Sequence, residues 1–559
     1  MKKVVLTIFS AFALLTSCQD AYEIDQPGYV TDGSEVFTDV ASVERALAGI
    51  YGMLNTETRI KFETVFSDEV GLGVNNGGAG INDGSYNFVL LSTNDYAQSI
   101  WYGNYTAINN INRLFRVIDG LIVKEEAGSP NRQRFEKAKA ELYGIRAYCN
   151  LVLFSYFTPD YTNANGLSIM KLDYEHTDFN VTIPRSNVAD IKKFIEDDIA
   201  ESNKYFGAQG YNIAENQLIT KGALDAMLVK LYSMTEDYDN VISIATNIVG
   251  SNVHTFATGN DYGLMYHVKD FFDTKDDANV WVNGEGKQQN NAEIIFQLVR
   301  SVNQSYAISD IWYTNQIGSS GNTSFEMGRS LYNEFDKLDP TKTGQPVYDP
   351  EKTNEFGIPY HIYLERSDIR FKTNLFSDSE AKANYASLGQ TAYIANDRLY
   401  IGKYREKAQN RMQANMMVFR YTDIVLALAE ARAAKGQITG AVADGDFSNV
   451  ESIIYNVRKA RLNPDSEVTE PNGLPTITNA QSAWKAILNE RRMEFAFEGH
   501  RYLDVKRIGA KAGEGFKRDP KDCERNGACE LAPRDYKLTL PIPRNEMLSN
   551  AKIVQNPGY

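Results

Sequence analysis

Apolar residues recur at helical spacing over most of the first half of the chain. Such spacing places them on one face of a helix, which must then be buried against another element. Helices are predicted over about 38–54, 95–122, 131–157, 187–206, 218–234 and 238–249. Helices that follow one another at this interval resemble tetratricopeptide repeats, in which each helix pair buries its face on the next. The pattern therefore predicts a mostly α-helical protein.

The periodicity weakens in the middle of the chain, where Gly, Asn, Asp and aromatic residues dominate and only short strands are predicted, at 293–300 and 399–404. Helical spacing returns at about 413–436, 447–462 and 479–508. We therefore divide the folded part into a helical scaffold at 38–250 with an early loop at 67–93, a variable insertion at 251–410, further scaffold at 411–508 and an extended C-terminal segment at 509–559.

The N-terminus has the order of an export signal. Two lysines precede an apolar stretch at residues 4–15 that is too short to cross a bilayer. The following Leu15-Thr16-Ser17-Cys18 resembles the bacterial lipobox, in which the signal is cut before a cysteine that is then acylated. This predicts a lipoprotein signal peptide at 1–17 and an acylated tether at 18–37, anchored through Cys18. The alternative is an ordinary signal with a chance cysteine.

Charge and motifs narrow the function. The formal net charge of -14 would repel a polyphosphate, so nucleic acid is not expected as a partner. The sequence contains no HExxH zinc helix, GxSxG nucleophile elbow or P-loop, and its five histidines do not cluster. No cofactor, metal or catalytic residue is predicted. A surface glycoside hydrolase stays open as an alternative, because two carboxylates facing each other across a sugar cannot be seen in a sequence.

The cysteines other than Cys18 have different predicted roles. Cys149 lies within a predicted helix and is expected to be buried as a small hydrophobe. Cys523 and Cys529 bracket a five-residue loop that an exported protein can close as a disulfide. A zinc site is disfavoured because no histidine lies nearby and the spacing is not that of zinc ligands.

Three segments resemble, in sequence and in order, the SusD/RagB family of nutrient-uptake proteins. They are Glu141–Tyr148 with Phe154–Phe157, Asn489–Arg507, and Leu540–Glu546 with Gln555–Tyr559. The resemblance implies a SusD-like fold, in which four tetratricopeptide-like helix pairs form a scaffold for a large irregular insertion with short strands. It further implies a lipid-anchored protein on the surface of the outer membrane. Such a protein captures a glycan for a partner SusC-type, TonB-dependent transporter and has no catalytic activity.

Other functions compatible with this scaffold stay open. The RagB side of the family is associated with peptide uptake, so peptide capture is the first alternative. A purely structural repeat adaptor that binds the transporter and no small ligand is another.

The second of these segments contains a column of like charges. Its glutamates follow at successive i+4 steps, as Glu490, Glu494 and Glu498. Like charges at that spacing repel on a helix, so cations must pair with them. The cations close in sequence are Arg491, Arg492 and Arg501. We favour an ion-pair network that fixes the last helix to the body, with His500 as a member, over a catalytic carboxylate cluster.

Sugar binding requires a flat apolar surface together with amides and carboxylates for the hydroxyl groups. By the resemblance, ligand contacts lie in the insertion and in the early loop. The candidates are Trp281, Trp312, Tyr313, Asp68, Asn75, Asn76 and Tyr86. The alternative is that the tryptophans fill the core of the insertion. Because neighbours in an extended segment point to opposite faces, only one ring of Trp312 and Tyr313 is expected to be free for stacking.

Overall fold

The computed structural model describes residues 37–54, 56–73, 76–175, 182–266, 291–300, 312, 324–339, 366–375, 399, 401–404, 414–524 and 526–559. Helices dominate the part before the insertion. They are α1 Val40–Met53, α2 Thr56–Phe66, α3 Asp95–Ile122, α4 Pro130–Phe157, α5 Val188–Phe206, α6 Lys221–Met234 and α7 Tyr238–Gly250. All of the helices predicted in this half are confirmed within a few residues, whereas α2 was not predicted.

The described part of the insertion contains the short helices α8 Asn260–Leu264, α9 Arg329–Asp336 and α10 Ile369–Asn374. The scaffold then continues with α11 Tyr421–Ala434, α12 Val450–Ala460, α13 Ala480–Glu494, α14 Arg501–Asp504, the π-helical turn Val505–Gly509, α15 Ala510–Ala512, α16 Pro520–Cys523 and α17 Arg544–Ser549. Single 3₁₀ turns occur at Ser85–Asn87, Gly207–Gln209 and Tyr536–Leu538.

The strands are short and pair two by two, all antiparallel. They are β1 Val70–Leu72, β2 Ile294–Leu298, β3 Phe325–Met327, β4 Met416–Arg420, β5 Phe516–Lys517 and β6 Glu530–Leu531. The pairs are β1 with β3, β2 with β4, and β5 with β6. Two of these pairs join the insertion to other parts of the chain, since β1 lies in the early loop and β4 precedes α11.

Capping side chains explain where many helices begin. A side-chain oxygen accepts a hydrogen bond from the backbone N–H three residues on, which satisfies a donor that the helix leaves unpaired. The capping residues are Asp39, Asn94, Ser129, Asn187, Thr220, Asn449 and Asn479. These residue types stand directly before an apolar periodic run, so the boundaries were visible in the sequence.

The helices pack largely in chain order. Helix α3 packs on α4, α4 on α5, α5 on α6 and α6 on α7, while α7 packs directly on α11. Helix α11 in turn contacts α12 and α13. Residue 144 shows how closely α4 is packed, because a Cβ on Gly144 would lie 2.6 Å from a methyl carbon of Ile219. The mostly α-helical fold is confirmed. Because α7 and α11 are neighbours, the insertion between them begins and ends at the same position in the helical stack.

Three predicted elements are corrected. The helix expected over 479–508 stops at Glu494, because Phe497 and Gly499 adopt left-handed φ angles of 62° and 74° before the chain turns into α14. The helix expected from residue 413 begins only at Tyr421, because the residues before it form strand β4. The C-terminal segment is not wholly extended, since it contains α17.

The strand expected at 399–404 is not found in the described residues there, where Ile401 forms only an isolated bridge with Leu375. In the described part of the chain, no helix is both long enough and apolar enough to cross a membrane.

Candidate ligand surface and its supporting charge network

The early loop and the insertion meet at the β1–β3 pair. Gly71 lies opposite Glu326, and the ladder is extended by a hydrogen bond of 3.0 Å from Gly73 N to Ser324 O. The amide of Asn76 donates to the same Ser324 carbonyl at 2.9 Å. The two regions expected to form the ligand surface are therefore hydrogen-bonded to each other here, through strands that are themselves mostly buried.

Asp68 does not face this surface. It is 1% exposed, and its carboxylate accepts hydrogen bonds from Arg501 Nε at 2.8 Å and from Lys517 N at 3.0 Å. Although burial opposes ionisation, Arg492 and Arg501 hold the pKa of Asp68 well below its usual range. The proposed ligand role of Asp68 is corrected to a scaffold ion pair, because its oxygens are occupied and enclosed.

Tyr86 is also interior, with no exposed surface. Its hydroxyl donates to the carbonyl of Asp522 at 2.8 Å, and the guanidinium carbon of Arg518 lies 3.8 Å from the centre of its ring. The ring and the hydroxyl group of Tyr86 thus both have partners within the protein. The predicted ligand contact by Tyr86 is corrected to support of the early loop.

Trp312 resolves the choice left open between core and ligand. Its side chain has no exposed surface, and Nε1 donates to Lys403 O at 3.1 Å. Its ring centre lies 5.9 Å from that of Phe497. The core interpretation therefore holds for Trp312. The other predicted contacts Asn75, Trp281 and Tyr313 lie outside the described residues.

Asn76 is half-buried and closes the loop on itself. Its Nδ2 donates to Ala79 O at 3.0 Å as well as to Ser324, and its Oδ1 accepts from Gly78 N at 3.1 Å. A ligand hydroxyl would have to compete with these bonds, so the structure favours a shaping role for Asn76 over direct contact.

Other polar groups of the early loop do face solvent. Asn82 and Asp83 are exposed between Gly80 and Gly84, and Val89 is 45% exposed beside them. Asp83 Oδ1 accepts from Ser85 N at 2.8 Å, which fixes the turn. These residues were missed by the sequence analysis. The available signal was the pair Asn-Asp flanked closely by glycines, which is typical of an exposed turn.

The glutamate column forms a buried ion-pair network, as predicted. Glu490 contacts Arg370 and Arg458, each at 2.8 Å. Glu494 contacts Arg461 at 2.8 Å and Arg420 at 2.9 Å. None of these side chains has accessible surface above 8%.

The last glutamate completes the column although it lies beyond the end of α13. Glu498 contacts Lys403 at 2.7 Å and Arg420 at 3.0 Å. Glu293 and Asp368 also join, through Arg461 at 2.8 Å and Arg370 at 2.8 Å. Five buried carboxylates thereby face five buried cations, namely Glu293, Asp368, Glu490, Glu494 and Glu498 with Arg370, Lys403, Arg420, Arg458 and Arg461.

The predicted cation partners were wrong. Arg491 contacts Asp423 and Asp504, each at 2.8 Å, while Arg492 and Arg501 contact Asp68. Adjacent residues on a helix point in different directions, so the arginines next to the glutamates cannot reach them. The actual partners come from the insertion, from strand β4, and from helix α12 and the residue that caps its C-terminal end. The network therefore fixes the insertion to the scaffold, and its enclosure is incompatible with catalysis on an external substrate.

His500 belongs to the neighbouring cluster rather than to a catalytic site. Its ring stacks on Phe495 with centres 4.4 Å apart, and Nδ1 lies 3.4 Å from Arg491 Nη2. Burial outweighs the nearby Asp423 carboxylate and lowers the pKa of His500 to about 3. The imidazole is thus neutral at physiological pH.

These charges make stability depend on pH. Burial alone would raise the pKa of Glu490 and Glu494, but the facing arginines outweigh it and lower the pKa of both. Below the ordinary pKa of 4.5 the unfolded chain therefore binds protons that the folded protein does not, and stability falls as the pH falls. We expect the urea midpoint to drop between about pH 5 and about pH 3. Glu494→Gln should show a shallower dependence, and a midpoint independent of pH would contradict this assignment.

Cys523 and Cys529 form the disulfide that their spacing allowed, and Cys149 is a buried free thiol within α4. Among the described residues, no group of three or more His, Cys, Asp or Glu side chains is placed to hold a metal ion.

Sequence comparison identifies relatives along the whole chain. Residues 292–559 match the model of the SusD family. SusD-like protein P2 from Formosa agariphila is 22% identical over 579 aligned residues that cover 100% of both chains. SusD-like protein P38 from the same organism is 22% identical over 429 residues, covering 75% of this chain and 73% of its own.

Solved structures share the fold. A SusD superfamily protein from Bacteroides thetaiotaomicron superimposes with a TM-score of 0.65 at 18% identity, covering 93% of this chain and 100% of its own. A putative sugar binding protein from Bacteroides vulgatus gives 0.65 at 21% identity, with 94% and 99% covered. The SusD-like fold is thus confirmed, while the division into four tetratricopeptide-like pairs stays a prediction. The family match, the relatives and the shared fold agree: residues 292–559 match the SusD family, and the chain as a whole shares the fold of SusD superfamily proteins.

Proposed function

We propose that the protein binds an oligosaccharide or polysaccharide at the cell surface and delivers it to a SusC-type, TonB-dependent transporter. The family match over residues 292–559 and the sugar-binding description of one structural relative support this proposal. The observation that carries it is the β1–β3 pair, which joins the early loop to the insertion. A surface built from two regions can contact an extended ligand on two sides.

The proposed ligand groups are polar side chains that can bind sugar hydroxyl groups and aromatic rings that can stack on the apolar face of a sugar. In the early loop, exposed Asn82 and Asp83 offer an amide and a carboxylate for hydroxyl groups. Trp281 and Tyr313 of the insertion, together with Asn75, remain candidates from the sequence pattern. No catalytic role is proposed for the glutamate column, because its carboxylates are enclosed and paired with cations.

The test is affinity electrophoresis of the mature protein through gels containing starch, laminarin, inulin, arabinoxylan or pectin. Retardation by at least one of these polysaccharides is expected. Binding of casein-derived peptides in isothermal titration calorimetry, without retardation by any polysaccharide, would favour peptide capture. Release of reducing ends from a polysaccharide would favour a hydrolase. If neither sugars nor peptides bind, the capture function is wrong and the adaptor alternative takes its place.

Tyr313→Ala is expected to weaken binding to the retarding polysaccharide without lowering the melting temperature. Stacking of a ring against a sugar face should contribute about 1–3 kcal/mol, by analogy with base–aromatic stacking. Isothermal titration with an oligosaccharide of that polymer measures the loss, and thermal melts test the fold. Tyr313→Phe is the control, because it keeps the ring. Unchanged affinity in the alanine variant would remove Tyr313 from the ligand surface.

Cys18→Ala is expected to abolish membrane anchoring. The variant should appear in the soluble fraction or accumulate as an uncleaved precursor, since each buried CH₂ of an acyl chain contributes about 0.8 kcal/mol to membrane binding. Fractionation of cells followed by immunoblotting measures the distribution, and Ser17→Ala serves as the control. Normal processing with unchanged membrane association in the Cys18 variant would show that the protein is not a lipoprotein.

A further inference from the structure

A loop near the C-terminus lies against the junction of the early loop and the insertion. This disulfide loop, residues 516–531, begins and ends in the paired strands β5 and β6 and is closed by Cys523 and Cys529. Cys523 is 1% exposed. The loop is far from the early loop in sequence, so its contacts there are tertiary and fix the two segments relative to each other.

Asp522 contacts both sides of the junction. Its Oδ2 accepts from Arg329 N at 2.7 Å and its Oδ1 from Arg329 Nη1 at 2.5 Å, directly after strand β3. Its carbonyl accepts from Tyr86 in the early loop. It also closely approaches β1, because a Cβ on Gly71 would lie only 2.5 Å from Asp522 Oδ1.

Arg518 holds the beginning of the early loop. Its Nη2 donates to the carbonyls of Ser67 at 2.8 Å and Phe66 at 3.1 Å, where helix α2 ends. A cation at the C-terminal end of a helix is stabilised by the unpaired carbonyls. Nη1 also donates to Ala528 O at 3.1 Å, and the guanidinium lies over the ring of Tyr86. One side chain thus connects the helix end, the early loop and the disulfide loop.

The β1–β3 ladder by itself is small. It contains three residue pairs, and an isolated two-stranded pair is only marginally stable in water. The separation between the early loop and the insertion is therefore also set by elements that contact both, among them Arg492 of α13, which donates to Asp68 O at 2.7 Å and to Ser330 Oγ at 2.8 Å. In the described part of the chain, the disulfide loop contacts both through Asp522.

We propose that the disulfide loop is a positioning element of the ligand surface. Asp522 and Arg518 hold the early loop and strand β3 at one separation, so that ligand groups from the two regions act on the same glycan. Neither residue touches the glycan. The proposal rests on the proposed function and adds a part of the chain that no ligand contact would reveal.

Gly71→Ala tests the proposal without altering either cysteine. The new methyl group must displace the Asp522 carboxylate, whereas Gly120→Ala is a matched control because no atom lies within 4 Å of the added carbon. We expect amide hydrogen exchange of the full mature chain to accelerate at residues 70–89 and 324–331. Exchange in helix α5 should stay unchanged. The Gly71→Ala protein should also be retarded less than the parent in the polysaccharide gels, by an amount that corresponds to an affinity about tenfold lower.

A second variant, Cys523→Ser with Cys529→Ser, should give the same local pattern. Parental exchange at the junction in both variants would overturn the proposal, as would accelerated exchange with unchanged retardation. An equal rise of exchange in α5 would show a general loss of stability and would also overturn it. If no polysaccharide retards even the parent protein, the proposed function fails and with it the ligand part of this proposal. The exchange pattern alone then decides whether the disulfide loop holds the junction.

Discussion

Replacing Glu494 with alanine is expected to lower the free energy of unfolding by about 3–5 kcal/mol. The carboxylate lies in the interior and contacts Arg420 and Arg461 within 2.9 Å, and Arg370 at 3.3 Å. Its removal leaves three neighbouring cations with less compensating charge, and a buried cation without its partner is costly. Urea unfolding followed by circular dichroism measures the change.

A variant at an exposed ion pair serves as the control for this buried one. Glu201→Ala removes the partner of Lys204, whose side chain is 70% exposed, and should change stability by no more than about 0.5 kcal/mol. Binding by the folded fraction of the Glu494 variant should equal that of the parent, because the network is enclosed. Lost polysaccharide binding at full stability would instead place Glu494 in the ligand site.

The network also shows what a sequence can and cannot reveal. The i+4 spacing of Glu490 and Glu494 was sufficient to require cations, because the repulsion between them is local. Their identity was not accessible, since Arg370 and Arg420 approach from parts of the chain more than seventy residues away. Helix boundaries were predictable for the opposite reason, as a cap such as Asp39 and the periodicity that follows it are both local.

The end of helix α13 was only partly predictable from the sequence. Gly499 signals a turn, but Phe497 adopts a left-handed φ that nothing in its own chemistry favours. It is held there by the interior, where its N–H donates to Glu69 Oε1 at 3.1 Å. Tertiary contacts thus overrode a helical pattern that continued through the sequence.

The candidate site was predicted less well than the fold. Sugar-binding surfaces and loop junctions use the same residue types, aromatic rings and carboxylates, so Asp68 and Tyr86 fitted both roles in sequence. Burial distinguishes the two, and burial depends on the disulfide loop that packs on them. The exposed Asn82 and Asp83 are not directly adjacent to an aromatic residue in sequence and were passed over.

Trp312→Ala is expected to lower the free energy of unfolding by about 3–5 kcal/mol, the usual cost of emptying a buried aromatic position. The ring has no exposed surface and packs near Phe497, so truncation leaves a cavity that the surroundings fill only in part. The indole N–H also satisfies the carbonyl of Lys403. Trp312→Phe should recover much of the packing but not this hydrogen bond, and is expected to fall between the parent and the alanine variant.

The loss should extend to the charge network. Lys403 donates through Nζ to Glu498 at 2.7 Å and to the carbonyl of Ala496 at 3.0 Å, while its own carbonyl accepts from Trp312. Residues in contact rarely contribute independently, so the double variant Trp312→Ala with Glu498→Ala should be destabilised by less than the sum of the single changes. Urea unfolding of the four proteins measures this coupling. A Trp312→Ala protein that unfolds like the parent yet loses polysaccharide binding would return Trp312 to the ligand surface, and strict additivity would show that it does not support Lys403.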